Sequence, residues 1–125
     1  VYIFINFYKC FSATIDLYNA SNDYLLFDVA ITVNDWCIAP DGSIDHALYD
    51  AFLQAYAQVR AFNTAEKQYW NAMLIAAAMR FWLSRLETYH GLDSHQREEG
   101  VTVLKDPNTF RDILSHRMQQ FQQLP

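Results

Sequence analysis

Glycine and proline are scarce, with three of each in 125 residues. So few breakers exclude a chain built from tight turns, long loops or flexible linkers. Cysteine is scarcer still: Cys10 and Cys37 stand far apart, with no CxxC pair. That excludes a disulfide framework and a structural zinc site, and both thiols read as small buried apolar groups in a reducing compartment. Positive charge is limited to nine Lys and Arg against 14 Asp and Glu, a net charge of -5. No basic cluster occurs, so the electrostatic footprint of a nucleic-acid binder is missing. Long apolar runs are missing too. Val1 to Phe7 is apolar but too short to span a bilayer, and it lacks a basic flank or a small-residue cleavage site. The expectation is a cytoplasmic protein with neither a nucleic-acid nor a membrane partner.

What is present is core material. Hydrophobic residues make up 52% and aromatic residues 16%, while charged residues reach only 18%. A chain of this length and composition packs as one domain, or as part of one, and is not disordered. It opens on Val1, not Met, inside an apolar β-branched and aromatic run. The sequence therefore reads as a piece cut from within a larger protein.

Val1 to Ile5 (VYIFI) is rich in strand formers. Phe11 to Leu17 alternates Phe11, Ala13, Ile15 and Leu17 with Ser12, Thr14 and Asp16, the period of a strand. Asn6 to Cys10 can turn the chain between them, which predicts a hairpin over residues 1–17. Residues 22–125 read as helical. Leu25, Leu26, Val29, Ala30, Val33, Trp36 and Cys37 form one helical stripe, with Ser21 or Asn22 as N-cap and Pro40-Asp41-Gly42 as stop. A second helix from about Asp45 is expected to bury Leu48, Phe52, Ala55, Tyr56 and Val59. Asn63 and Glu66 form a capping box that opens a long helix over Thr64 to His90, closed by Gly91. This helix is apolar around much of its girth from Met73 to Met79, so it should be covered on more than one side. After a polar connection from Gly91 to Lys105, Asp106-Pro107 caps a last helix that carries Phe110, Ile113, Leu114 and Met118 inward. The fold class is mainly α with a short N-terminal β-hairpin.

Few residues suggest chemistry. Asp16 ends an apolar strand, where a carboxylate can bind a hard cation such as Mg²⁺ that holds nucleotide phosphates. On spacing alone, a solvated or capping aspartate is the commoner explanation. Asp28 lies among Leu25, Leu26, Phe27, Val29 and Ala30, and is either a buried carboxylate with partners or an exposed helix position. Asp35 beside Trp36 can hold an ammonium group by charge and cation–π contact, although Trp36 in the core with Asp35 in water is the plainer arrangement. Arg80 interrupts the apolar surface of the long helix and could reach a buried carboxylate, whereas Arg85 should cap or pair locally. His46, His90, His95 and His116 do not form a ligand set, and neither a Ser-His-Asp arrangement nor a glycine-rich phosphate loop is visible.

The run Thr14-Ile15-Asp16-Leu17-Tyr18-Asn19-Ala20-Ser21-Asn22-Asp23, continued by Phe27-Asp28-Val29-Ala30-Ile31 and Asn34-Asp35-Trp36-Cys37, carries a resemblance. It is similar to the bacterial homoserine kinases of the aminoglycoside-phosphotransferase-like, or choline-kinase-like, type. That family has an IDFYFACND segment, a D-L-A-I helix and an N-[DA]-W-C element in this order. Ala55-Tyr56, Val59-Arg60, Ala77 to Leu86 and Lys105-Asp106-Pro107 extend the match over nearly the whole chain. Leu17 stands where the family has Phe, and Asn19 where it has an aromatic or apolar residue.

The resemblance implies a protein-kinase-like α+β fold, of which this chain would be the distal part of the helical C-terminal lobe. It implies that Asp16 is the metal ligand, with Mg²⁺ and ATP as cofactors. Asp28 is implied as a structural brace of the active-site loops, and Asn22, Asp23, Asp35 and Trp36 as candidates for the acceptor side. The nucleotide-covering loop, the phosphate-pairing lysine and the catalytic loop would precede Val1, so no catalytic residue is expected within this chain. The implied activity of the parent is ATP-dependent phosphorylation of the L-homoserine hydroxyl, with ATP and a small amino acid as partners. Related choline, aminoglycoside or sugar-amine kinases are the alternatives within the class, and a non-catalytic helical interaction domain is the alternative outside it. The isolated chain is expected to self-associate through Tyr2, Phe4, Phe7, Phe11 and Leu25.

Overall fold

A computed structural model describes residues 2–3, 14–15, 25–90 and 106–125. Two short strands, β1 (Tyr2–Ile3) and β2 (Thr14–Ile15), pair antiparallel with Tyr2 opposite Ile15 and Ile3 opposite Thr14. The rest of the expected hairpin, including Asp16, lies outside the described residues. Four helices follow among the described residues: α1 (Leu25–Trp36), α2 (His46–Val59), α3 (Thr64–Tyr89) and α4 (Asn108–Gln119). The described part is mainly helical, as a kinase-like helical lobe requires. None of its helices is long and apolar enough to cross a membrane.

The long helix α3 organises the packing. Its first turn is fixed by the expected capping box: the Glu66 N–H donates to Asn63 Oδ1 and the Asn63 N–H to Glu66 Oε2, both at 2.9 Å. Along α3, Trp70, Leu74 and Ala77 enter a core with Leu26, Val29, Ala30 and Val33 of α1 and Tyr49 and Leu53 of α2. Ala78 faces a second cluster with Phe110, Ile113 and Leu114 of α4. The helix is therefore covered on two sides, which is what its wide apolar girth demanded. Each fully buried Leu contributes about 1.5–3 kcal/mol to this packing.

Between α1 and α2 the chain makes a compact turn. Ile38 and Ile44 form an isolated antiparallel bridge, and Asp41 Oδ1 accepts from the Ser43 N–H and hydroxyl. Gly42 has φ +85, and a Cβ there would stand 3.2 Å from Ile113 Cγ1. Both the backbone conformation and the close approach to α4 favour glycine. Asp45 caps α2 by accepting from the Ala47 and Leu48 N–H groups.

Two expected faces are rotated. On α2 the buried residues are Tyr49 and Leu53, while Leu48, Ala55 and Val59 are exposed and Phe52 and Tyr56 half-buried. On α4 the buried stripe runs Phe110, Ile113, Leu114, Arg117, and Met118 is exposed. In each case a side chain with a polar tip takes the core position because its tip finds a partner there. At the start of α4 Pro107, not Asp106, takes the N-cap position with φ -65, while Asp106 Oδ1 just before it accepts from the Asn108 N–H at 2.9 Å.

After α4 the chain runs on as an extended tail. The Asn71 side chain donates to the Gln122 carbonyl at 2.9 Å and accepts from the Gln122 N–H at 2.7 Å. This reciprocal pair mimics one rung of a β-ladder. It lays Leu124 against the core of α1, α2 and α3.

Candidate functional site

Within the described residues, polar groups converge below the carboxyl end of α1. Asn34 is 1% exposed and satisfied at both ends of its amide. Its Nδ2 donates to the Leu74 carbonyl of α3 at 2.8 Å, and its Oδ1 accepts from Arg117 Nε of α4 at 2.8 Å. Arg117 is itself 3% exposed, and its Nη2 is buried with no hydrogen-bond partner among the described residues. Burial pulls its guanidinium down to about 10, with Tyr49 and Cys37 opposing the fall. Burial pushes the neighbouring Cys37 thiol up to about 11, with Asp45 adding to the rise and Arg117 opposing it. A second chain of bonds lies alongside. Trp70 Nε1 donates to the Tyr49 hydroxyl at 2.7 Å, and that hydroxyl donates to the Gln123 carbonyl at 2.9 Å.

Above this buried layer, Asp35 and Trp36 close α1. Asp35 is exposed and Trp36 half-buried, and the Trp36 indole N–H donates to Asp35 Oδ2 at 3.1 Å. The carboxylate is therefore held at the surface by the ring beside it, an arrangement that can receive a cationic group. Asp28 sits in the first turn of α1 and is exposed, not buried among its apolar neighbours. There it complements the positive end of the helix dipole. Asp16, Asn22 and Asp23 lie outside the described residues, as do His95 and Cys10. Leu25 is half exposed, and Phe4, Phe7 and Phe11 lie outside the described residues.

The arginine expected to reach inward, Arg80, is exposed. Arg85 lies over the Phe110 ring, 4.1 Å from its centroid. The buried cation is Arg117, which sequence reasoning missed although it stands three residues after Leu114 and seven after Phe110, in register with the buried stripe. Tyr49 was missed similarly, four residues before Leu53. Among the described residues no group of three His, Cys, Asp or Glu side chains could hold a metal ion. The proposed metal ligand, Asp16, falls outside that set.

Comparison with known proteins fits this framework. A model of the phosphotransferase enzyme family matches residues 8–62, a stretch that includes Asp16, Asn22, Asp23, Asp28, Asp35 and Trp36. A homoserine kinase of Burkholderia pseudomallei (strain 1106a) is 44% identical over 113 residues, covering 88% of this chain and 32% of that protein. A homoserine kinase of Burkholderia mallei (strain SAVP1) matches with the same figures. One from Pseudomonas aeruginosa (strain LESB58) is 43% identical over 106 residues, 82% of this chain and 31% of that protein. The chain thus spans about a third of the length of the curated relatives it matches. The family match spans α1 and α2, and homoserine kinases are similar along most of the sequence, so the chain is similar to part of the phosphotransferase enzyme family.

Proposed function

We propose that this sequence forms the distal part of the helical lobe of an ATP-dependent homoserine kinase acting in the cytoplasm. The observation that carries the reading is the 44% identity to homoserine kinases over 88% of the chain. In the reaction, the side-chain hydroxyl oxygen of L-homoserine bonds to the γ-phosphorus of ATP. The bond from that phosphorus to the bridging oxygen of ADP breaks, and the hydroxyl proton leaves to a base outside this chain.

Asp16 is the residue proposed to hold Mg²⁺, which supplies charge neutralisation to the phosphates when bound. Asp28 is proposed to brace the active-site loops from the first turn of α1. Asn22, Asp23, Asp35 and Trp36 are proposed for the acceptor side. L-homoserine carries an ammonium group, and the exposed Asp35 carboxylate beside the Trp36 ring suits it by charge and ring face. The phosphate-clamping lysine and the catalytic aspartate are not among these residues, so the 125-residue chain alone is expected to transfer no phosphate.

The test is ADP release by the protein extended upstream of Val1, assayed with ATP and L-homoserine, choline or an aminoglycoside. Homoserine-dependent release is expected, with Asp16→Asn lowering turnover on the order of a thousandfold or more while the melting temperature holds. Release with choline or an aminoglycoside, and none with homoserine, would replace the acceptor. Unchanged turnover and Mg²⁺ dependence in Asp16→Asn would remove the metal assignment.

A further inference from the structure

The buried Arg117–Asn34 pair has no part in the chemistry above, yet Asn34 immediately precedes the proposed acceptor-side residues Asp35 and Trp36 at the end of α1. A buried guanidinium is costly. Taking it out of water is repaid only by good geometry and full hydrogen bonding, and a well-packed apolar residue of similar volume often serves stability as well or better. Here the guanidinium spends its Nε on a neutral amide and leaves Nη2 without a partner among the described residues. Among the described residues it makes no ion pair. Stability alone is a poor account of such an arrangement.

Direction is a better one. The Asn34 amide is held from both sides at 2.8 Å, by a backbone carbonyl of α3 and by a side chain of α4. Those partners are 40 and 83 residues away in sequence. The apolar contacts of α1, through Leu26, Val29, Ala30 and Val33, are non-directional and tolerate small rotations. Two opposed hydrogen bonds on one amide do not. They fix both the rotation and the advance of α1 at its last turn, where Asp35 and Trp36 follow immediately. A helix with side chains is about 10–12 Å across, so a 10° turn about its axis carries a surface group about 1 Å. A misplacement of that size at a reacting or binding group can cost on the order of a hundredfold.

We propose that Arg117 and Asn34 are positioning residues for the acceptor: the α4 guanidinium, acting through the Asn34 amide, sets the angle at which Asp35 and Trp36 meet the ammonium group of a small amino-acid substrate. The proposal rests on the reading of Asp35 and Trp36 as acceptor-side residues, and the experiment separates the two.

The experiment measures KM for L-homoserine, KM for ATP and kcat in the upstream-extended kinase, for Arg117→Met, Arg117→Lys and Asp35→Asn. Arg117→Met keeps an unbranched apolar stem as far as the position of Nε and removes every donor. It is expected to raise the homoserine KM about tenfold while the ATP KM stays within about twofold. Arg117→Lys, which retains a cationic donor, should recover part of that loss. Should Arg117→Met fail to fold, the double variant Asn34→Leu with Arg117→Met removes both orphaned polar groups and is assayed identically. A fall in kcat with both KM values unchanged, or an equal rise in both, would mean a merely structural role and overturn the proposal. If Asp35→Asn raises the homoserine KM and the Arg117 variants do not, the positioning role fails and the acceptor reading stands. If Asp35→Asn leaves that KM unmoved, the acceptor reading fails and takes the proposal with it.

Discussion

Tyr49→Phe isolates one oxygen atom in the buried network and predicts a large effect from it. In the native chain that oxygen takes the Trp70 indole N–H at 2.7 Å and gives its own proton to the Gln123 carbonyl at 2.9 Å. Trp70 is fully buried, so without the hydroxyl its N–H loses its acceptor and stays out of water. That costs about 1–3 kcal/mol. Gln123 is exposed and its carbonyl can be rehydrated, so the second bond adds less, about 0.5–1 kcal/mol. The ring itself remains, and no cavity larger than one oxygen opens. Together the losses come to roughly 1.5–4 kcal/mol, which for a chain of this length, at about 4 °C per kcal/mol, lowers the melting temperature by roughly 6–16 °C. Burial pushes the Tyr49 hydroxyl up to about 12, so its proton is in place across the neutral range and the difference should be the same at pH 7 and pH 9. Urea and thermal melts of wild type and Tyr49→Phe measure it. Repeating the pair in a chain ending at Gln120 removes the Gln123 contribution and should leave the larger Trp70 share. A Tyr49→Phe variant within about 0.5 kcal/mol of wild type would show that the indole N–H does not depend on this oxygen, and the reasoning would fail.

Two further outcomes follow from the caps and the buried thiol. Asn63→Ala removes one half of the α3 capping box and should destabilise by about 1 kcal/mol, with Asn63→Gly losing only a few tenths; chemical denaturation of the three proteins checks it. Cys37, pushed up to about 11 from an ordinary 9.0, keeps its proton in the fold where the unfolded chain has already released it. Its contribution is therefore complete below pH 9 and is lost as pH rises toward 11, on the order of 2 kcal/mol. Cys37→Ala should flatten the fall in stability between pH 8.5 and 11, and a parallel fall in both proteins would count against the shift.

The sequence made the helices legible and two of their faces illegible, for one physical reason. Helix α3 could be read from its first residue because the capping box is local: Asn63 and Glu66 satisfy each other across three residues. The α1 stripe was legible because Leu26, Val29, Ala30 and Val33 are apolar throughout. On α2 and α4 the same reading preferred Leu48 and Met118, which are exposed, over Tyr49 and Arg117, which are buried. Periodicity weighs the whole side chain as polar or apolar, whereas burial depends on whether the polar tip has a partner. The partners here are remote, since Tyr49 meets Gln123 74 residues on and Arg117 meets Asn34 83 residues back. Nothing within a helical window announces them. The candidate site divides along the same line. Asp35 and Trp36 are neighbours, and their hydrogen bond is a local fact that the dipeptide suggests. What holds them in place is carried by Asn34, Leu74 and Arg117 on three different helices. Asn34 appeared in the sequence only as the first letter of a motif. The structure makes it the point where the last helix is coupled to the end of the first, so that a change on α4 can be felt at Asp35 without touching it.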